Sequence, residues 1–190
     1  MQEGGEPVNS LKESLSLSKE TVNVIRTTMR NNIELTSIAD NKANVLLSLN
    51  AVMIAFVVPL AISNLDIIVQ YTLFIPLVLL AITCFATMYL STLVLAPFSF
   101  DTFNNELPEG MEPSPFFFGT AYSMSLTQYY DRLLSIAHDK KMVRQFFTQD
   151  LFFIGRRLGE KMALIRQSFL IFRIGIFLTL ASTALVLLLA

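Results

Sequence analysis

A chain of 190 residues allows one compact unit or a bundle of long helices, but hardly two independent soluble domains. Hydrophobic residues make up 53% and charged residues only 15%, against about 25% charged in an ordinary soluble domain, so the balance points to lipid. A net charge of −1 offers no long-range attraction to nucleic acid, and the single cysteine, Cys84, excludes an internal disulfide and a cysteine metal site.

The chain opens on an acidic, polar stretch, Met1 to Glu6, without the basic region or early apolar core of a secretory signal; an unprocessed N-terminus is expected. Residues 9–43 hold no helix breaker. Val22, Ile25, Met29, Ile33 and Ile38 recur at three-, four- and five-residue steps, which predicts an amphipathic helix starting near the serines at 14–18 and continuing into the first span. The N-terminal helical segment is therefore set at 1–43.

A spanning helix needs about 20 apolar residues to cross roughly 30 Å of hydrocarbon. No charge falls between Lys42 and Asp66, none between Asp66 and Asp101, and none after Arg173. The spans are placed at 44–63, 68–95 and 169–190. The first two form a hairpin over 44–96 that turns at Asn64–Asp66. Pro59 and Pro76 lie inside them and free backbone carbonyls; a structural bend is the default reading and a gating hinge the alternative.

All fourteen basic residues lie on one side of this pattern: Lys12, Lys19, Arg26, Arg30 and Lys42 before the first span, and nine from Arg132 to Arg173 after the second. The Asn64–Asp66 turn has none. By the positive-inside rule the N-terminus and the 97–168 region face the cytoplasm. Within that region, 97–115 reads as an irregular loop, Pro115-Phe116-Phe117-Phe118-Gly119 as an apolar run, and about 124–138 as a helix. A further helix from about 139 runs through Gly155 and Gly159 into the third span. The fold class is an all-α membrane protein: three transmembrane helices, two of them extended as long cytoplasmic stalks, plus a short cytoplasmic helical hairpin.

Directly before the first span stands Ser37-Ile38-Ala39-Asp40-Asn41-Lys42-Ala43-Asn44. On a helix Ser37, Asn41, Asn44 and Ser48 form one polar stripe bordered by Asp40, which enters the membrane edge at Ser48 and Asn50. An unpaired polar group there costs several kcal/mol, so the stripe must meet a neighbouring helix, water or a ligand. One reading is interhelical polar glue. The other is a pocket for a small hydrogen-bonding ligand, with Lys42, Arg26 or Arg30 countering an anion.

Arg156 and Arg157 are placed on the other long helix at a height that could face Arg26 and Arg30. Several guanidinium groups bind phosphate well, and anchoring at anionic headgroups is the competing explanation. His138 stands alone and reads as a surface helix-end residue, with no metal site. Asp131, Asp139 and Asp150 are scattered and read as solvated helix charges. Phe116 to Phe118 read as docking the loop rather than stacking bases. No P-loop, nucleophile elbow, zinc motif or Cys–His arrangement is present, so an enzyme is not expected.

The stretch from Arg26-Thr27-Thr28-Met29-Arg30-Asn31-Asn32 through Leu35 to Asn44 resembles the transmembrane effectors of Pycsar anti-phage systems. So do the Pro115–Gly119 run with Met124-Ser125-Leu126 and Tyr129-Tyr130, and the stretch from Asp150-Leu151 through Lys161; together they cover about residues 24–188. The resemblance implies an effector of the bacterial inner membrane, switched on by cyclic CMP or cyclic UMP made by a neighbouring cyclase, that impairs the membrane before phage matures. It needs no cofactor beyond that ligand. The family's signature residues carry over onto Asp40, Asn41, Lys42 and Asn44. The ligand-binding set expected on this reading is Arg26, Arg30, Asp40, Asn41, Lys42, Asn44, Arg156 and Arg157. The partners expected are the bilayer, the cyclic pyrimidine nucleotide and further copies of the chain, because three spans are too few for a pore. The rival reading is a non-enzymatic adaptor whose stalk recruits a cytoplasmic partner.

Overall fold

The computed structural model describes residues 6–97, 112–137 and 139–189. Most of the loop expected over 97–115, and His138, lie outside the described residues, as does the extreme N-terminus. The described residues form six helices and no strand: α1 (Glu6–Ser63), α2 (Leu65–Gln70), α3 (Phe74–Leu95), α4 (Phe118–Ser123), α5 (Leu126–Ala137) and α6 (Lys140–Leu189). Three of them, α1, α3 and α6, are long and apolar enough to cross a membrane, which bears out the all-α, three-span class. Helix α1 starts at Glu6, ahead of the serines at 14–18. Its one early proline, Pro7, sits in the first turn, where no intrahelical N–H is needed.

The chain divides into two compact units: residues 1–35 with 98–158, and residues 36–97 with 159–190. The second holds the spans. Its core is Ala39, Ala43, Val94 and Ile165, with Leu95, Met162, Leu164 and Phe169 packed against it. Two alanines one turn apart let the α1 backbone come close to its neighbours, the usual device where lipid removes any hydrophobic gain from helix contact. On α3, Thr83, Thr87 and Ser91 recur every fourth residue and are all buried. Thr83 Oγ1 donates to the Leu79 carbonyl at 2.8 Å and Thr87 Oγ1 to the Thr83 carbonyl at 2.9 Å, so these hydroxyls satisfy themselves within their own helix. Ser168 of α6 donates to the Thr87 carbonyl at 3.2 Å, and its Oγ lies 3.1 Å from that of Ser91. Farther along α6, Gly175 is buried against Thr83 with no room for a Cβ, which would overlap the threonine side chain.

The connection between the first two spans is longer than a single turn. As one helix the apolar run over 67–96 would reach about 45 Å, more than the roughly 30 Å core requires. The surplus is taken up by α2 and the turn after it. Thr72 closes α2 in the left-handed region at φ 54, with Leu73 N–H donating to the Ile68 carbonyl at 2.9 Å and Thr72 N–H to that of Val69 at 3.4 Å. This is a Schellman ending. A β-branched residue there costs roughly 1–2 kcal/mol, which glycine would avoid. The second spanning helix consequently begins at Phe74 rather than at 68.

In the first unit side-chain caps set the starts of α5 and α6. Ser125 and Gln128 form a reciprocal box before α5: the Ser125 N–H donates to Gln128 Oε1 at 3.0 Å, and the Gln128 N–H to Ser125 Oγ at 3.3 Å. Asp139 caps α6, its Oδ1 accepting from the N–H groups of Lys141 at 2.8 Å and Met142 at 3.3 Å. The segment before α4 docks as expected, with the Phe116 ring stacked on Phe147 at 4.9 Å and 5°. Arg132 ties the same segment to α5 by donating to Glu112 Oε2 at 2.9 Å and the Pro113 carbonyl at 3.1 Å.

Gly175→Ala is expected to lower the thermal midpoint of the solubilised protein by an amount equivalent to about 1–3 kcal/mol, despite the gain in helix propensity. Thr83→Ala in the same chain should recover part of the loss. Gly155→Ala and Gly159→Ala meet no atom within 4 Å and should be neutral or stabilising. Equal behaviour of all three alanine variants in a melting assay would show that the helices do not approach at Gly175.

Candidate functional site

The polar stripe of α1 forms as its spacing requires: Ser37, Asn41, Asn44 and Ser48 share one face. All four are exposed, as is Lys42, whereas the face with Ala39, Ala43, Leu46 and Asn50 is buried. Ser48 and Asn50 are two positions apart, close to half a turn, so the two polar residues expected together at the membrane edge point to different sides. Asn50 is wholly buried and donates its amide to the Leu46 carbonyl at 2.9 Å. Its Oδ1 finds no hydrogen-bond partner among the described residues.

Asp40 does not stand with the exposed stripe. Its Oδ1 accepts from Lys161 Nζ at 2.6 Å, and the Lys161 side chain is largely buried. Arg157 and Lys161 lie four residues apart and so share a face of α6, a spacing that gives Lys161 no partner. Asp40 and Lys161 stand 121 residues apart in the chain, and no spacing within either helix signals the pairing. Arg26 and Arg30 are exposed and lie one turn apart on α1, Arg156 is exposed on α6, and Arg157 is half-buried. The four arginines belong to the first unit and Asp40, Asn41, Lys42 and Asn44 to the second, so the expected ligand set is not gathered within either.

Among the three aspartates read as solvated, Asp131 and Asp139 are exposed, but Asp150 is 3% exposed. This corrects the sequence expectation. The face of α6 carrying Phe146, Gln149 and Asp150 is buried, and the segment 112–116 hydrogen-bonds to it. Ser114 Oγ donates to Asp150 Oδ2 at 2.9 Å and itself accepts from the Phe116 N–H at 3.2 Å. Asp150 Oδ1 has no hydrogen-bond partner among the described residues. Burial pushes this carboxyl up to about 6, and the Ser114 hydrogen bond only partly holds it back. The signal in the sequence was an acidic residue inside the aromatic stretch Phe146 to Phe153.

Two clefts of about 340 and 300 Å³ lie among the spans. Val57, Ala61, Leu77 and Leu80 line both, and neither offers a charged group to an anionic ligand.

Residues 24–189 match the family model of the Pycsar effector protein domain, that is, nearly the whole chain. No curated protein and no solved structure matches.

Two outcomes follow from the carboxylates. In a double-mutant cycle over Asp40→Ala and Lys161→Ala, the pair should show a coupling of about 0.5–1 kcal/mol by chemical or thermal melting, since Lys161 is largely buried while Asp40 keeps part of its hydration; additive losses would mean that the ion pair contributes nothing. For Asp150, the folded chain holds the proton more tightly than the unfolded chain does. Its stabilising contribution is therefore complete below the ordinary carboxylate range and is lost as pH rises through about 6. Asp150→Asn should melt a few degrees above wild type at pH 7.5, and the difference should shrink at pH 5. A lower midpoint at both pH values would contradict the burial of a charge there.

Proposed function

Because the chain belongs to the Pycsar effector family, we propose that it is a membrane effector switched on by a cyclic pyrimidine mononucleotide, cyclic CMP or cyclic UMP, which then impairs the bacterial inner membrane and stops the infected cell. It acts without a catalytic step and without a cofactor. The basic residues, all on one side of the spans, support a cytoplasmic N-terminus and a cytoplasmic first unit, where the nucleotide is made.

The observation that carries the reading is the exposed row Ser37, Asn41, Asn44 and Ser48 on a helix that goes on to cross the membrane. Amides and hydroxyls at that level need complements, and a neighbouring copy of the chain or the ligand supplies them. In the homo-oligomer, Asn41, Lys42 and Asn44 of adjacent copies line the entrance to the membrane path. Asp40 holds Lys161 and so ties α1 to α6 beside them. Arg26, Arg30, Arg156 and Arg157 take the phosphate. The nucleotide shifts the oligomer towards its disruptive state only to the extent that it binds that state better.

The rival reading, an adaptor that recruits a soluble partner, is favoured by one feature: Tyr122, Leu126, Tyr130 and Leu134, at four-residue steps, are all exposed.

Purified protein in dye-loaded liposomes separates the two. Release of dye on adding cyclic CMP or cyclic UMP, and its loss in Asn41→Leu or Asn44→Leu, is the expected result. Vesicles that stay sealed with both nucleotides, together with no binding of either, would remove the effector reading and leave the adaptor.

A further inference from the structure

Helix α1 has one face that its own chain covers. From Ile25 to Val57, positions at alternating four- and three-residue steps are buried or half-buried without exception, passing through Ala39, Ala43, Leu46 and Asn50. A straight α-helix drifts by about 20° per seven residues against such a repeat, so α1 holds a 3.5-residue period along this stretch. The face beside it keeps the same step and is exposed at every position from Val24 to Phe56. In heptad terms Thr28, Leu35, Lys42, Leu49 and Phe56 fall at a, and Val24, Asn31, Ile38, Val45 and Val52 at d. The row beyond the seam, Arg30, Glu34, Ser37, Asn41 and Asn44, is polar throughout.

Inside the span, exposed apolar side chains meet lipid. Lipid does not account for the rest of the seam. Val24 and Leu35 precede Lys42, the last charge before the span, by about 27 and 10 Å of helix rise, and they are 64% and 42% exposed. The seven apolar side chains of the seam expose roughly 650 Å² on each chain. With its three polar members the seam reaches the about 800 Å² per partner that a specific, stable interface buries.

We propose that α1 packs along this seam against α1 of further copies of the chain, as a parallel, left-handed coiled coil that begins in the stalk and continues into the span. Copies inserted by the same charge rule stand parallel at one depth, so each seam residue meets its own counterpart. The residue types set the number of copies. Leucine at a with β-branched residues at d, as at Leu35, Leu49, Ile38 and Val45, favours three or four strands over two. Two polar members set the register. Asn31 amides both donate to and accept from one another, whereas Lys42 brings like charges together at the axis and weakens the assembly. The proposal goes beyond the effector reading, which asks for several copies without assigning the helix face that joins them, and it holds whether or not a nucleotide binds.

Light scattering on the full-length solubilised protein gives the number of chains, and cross-linking gives the face. Three or four chains are expected. In a Cys84→Ala background, a short bis-maleimide should join Ile38→Cys to a neighbouring copy and join Asn44→Cys, which lies off the seam, several-fold less. Leu35→Glu combined with Ile38→Glu should reduce the particle to a single chain without loss of helix content by circular dichroism, because both side chains are exposed in the single chain. Lys42→Met should lower the concentration at which the assembly dissociates by about tenfold or more. A wild-type mass of one or two chains, or stronger cross-linking at Asn44→Cys than at Ile38→Cys, would overturn the inference. None of these readouts involves a nucleotide, so failure here is separate from failure of the effector reading.

Discussion

Helices that meet in hydrocarbon gain nothing from leaving water, so contact between them must come from close fit and from polar groups that find each other. In this chain that constraint governs the span unit. Ala39 and Ala43 keep the α1 side of the core small, Gly175 leaves the Thr83 side chain its space, and Ser91, Ser168 and the Thr87 carbonyl share hydrogen bonds. Large apolar side chains such as Phe56, Phe85 and Phe177 are exposed, where in a bilayer they meet lipid. The distribution is the reverse of a soluble core: small and polar residues inside, large apolar residues outside.

The same constraint makes the unsatisfied groups informative. Most polar side chains on the inner faces of the span unit are paired, so Asn50 Oδ1 stands out there, as Asp150 Oδ1 and Gln149 Oε1 do in the first unit. Local rules of satisfaction are usually broken where a protein binds or switches, since stability is traded for response at such places. The half-exposed Asp40 and the buried Asp150 illustrate the difference. Asp40 meets an ammonium at 2.6 Å and is thereby committed to holding two helices together. Asp150 meets only a hydroxyl, its other oxygen has no hydrogen-bond partner among the described residues, and burial makes it hold a proton more readily than a free carboxylate.

An effector of the kind proposed above has to be stable when silent and yet rearrange when its signal arrives. Long uninterrupted helices suit this, because a change of state at one level of α6 has no loop to absorb it before the third span. The exposed amide row of α1 serves the other requirement. It is a polar surface at the level where α1 passes from charged sequence into its charge-free span.

Composition, charge-free runs and the absence of breakers were enough to determine that the chain is helical, that it has three spans, and that α1 and α6 run on from polar sequence into lipid. These follow from length and hydropathy, which act residue by residue along the chain. The four-residue spacing likewise determined that Ser37, Asn41, Asn44 and Ser48 share a face, because helix geometry alone dictates it. Which way that face turns was decided only by packing: once Ala39 and Ala43 are drawn inward, the amides must point out. The pairing of Asp40 with Lys161 and the burial of Asp150 against the segment that carries Ser114 were decided there too. Each depends on which residues, distant in the chain, come within a few ångströms of one another. Spacing within one helix carries no record of that.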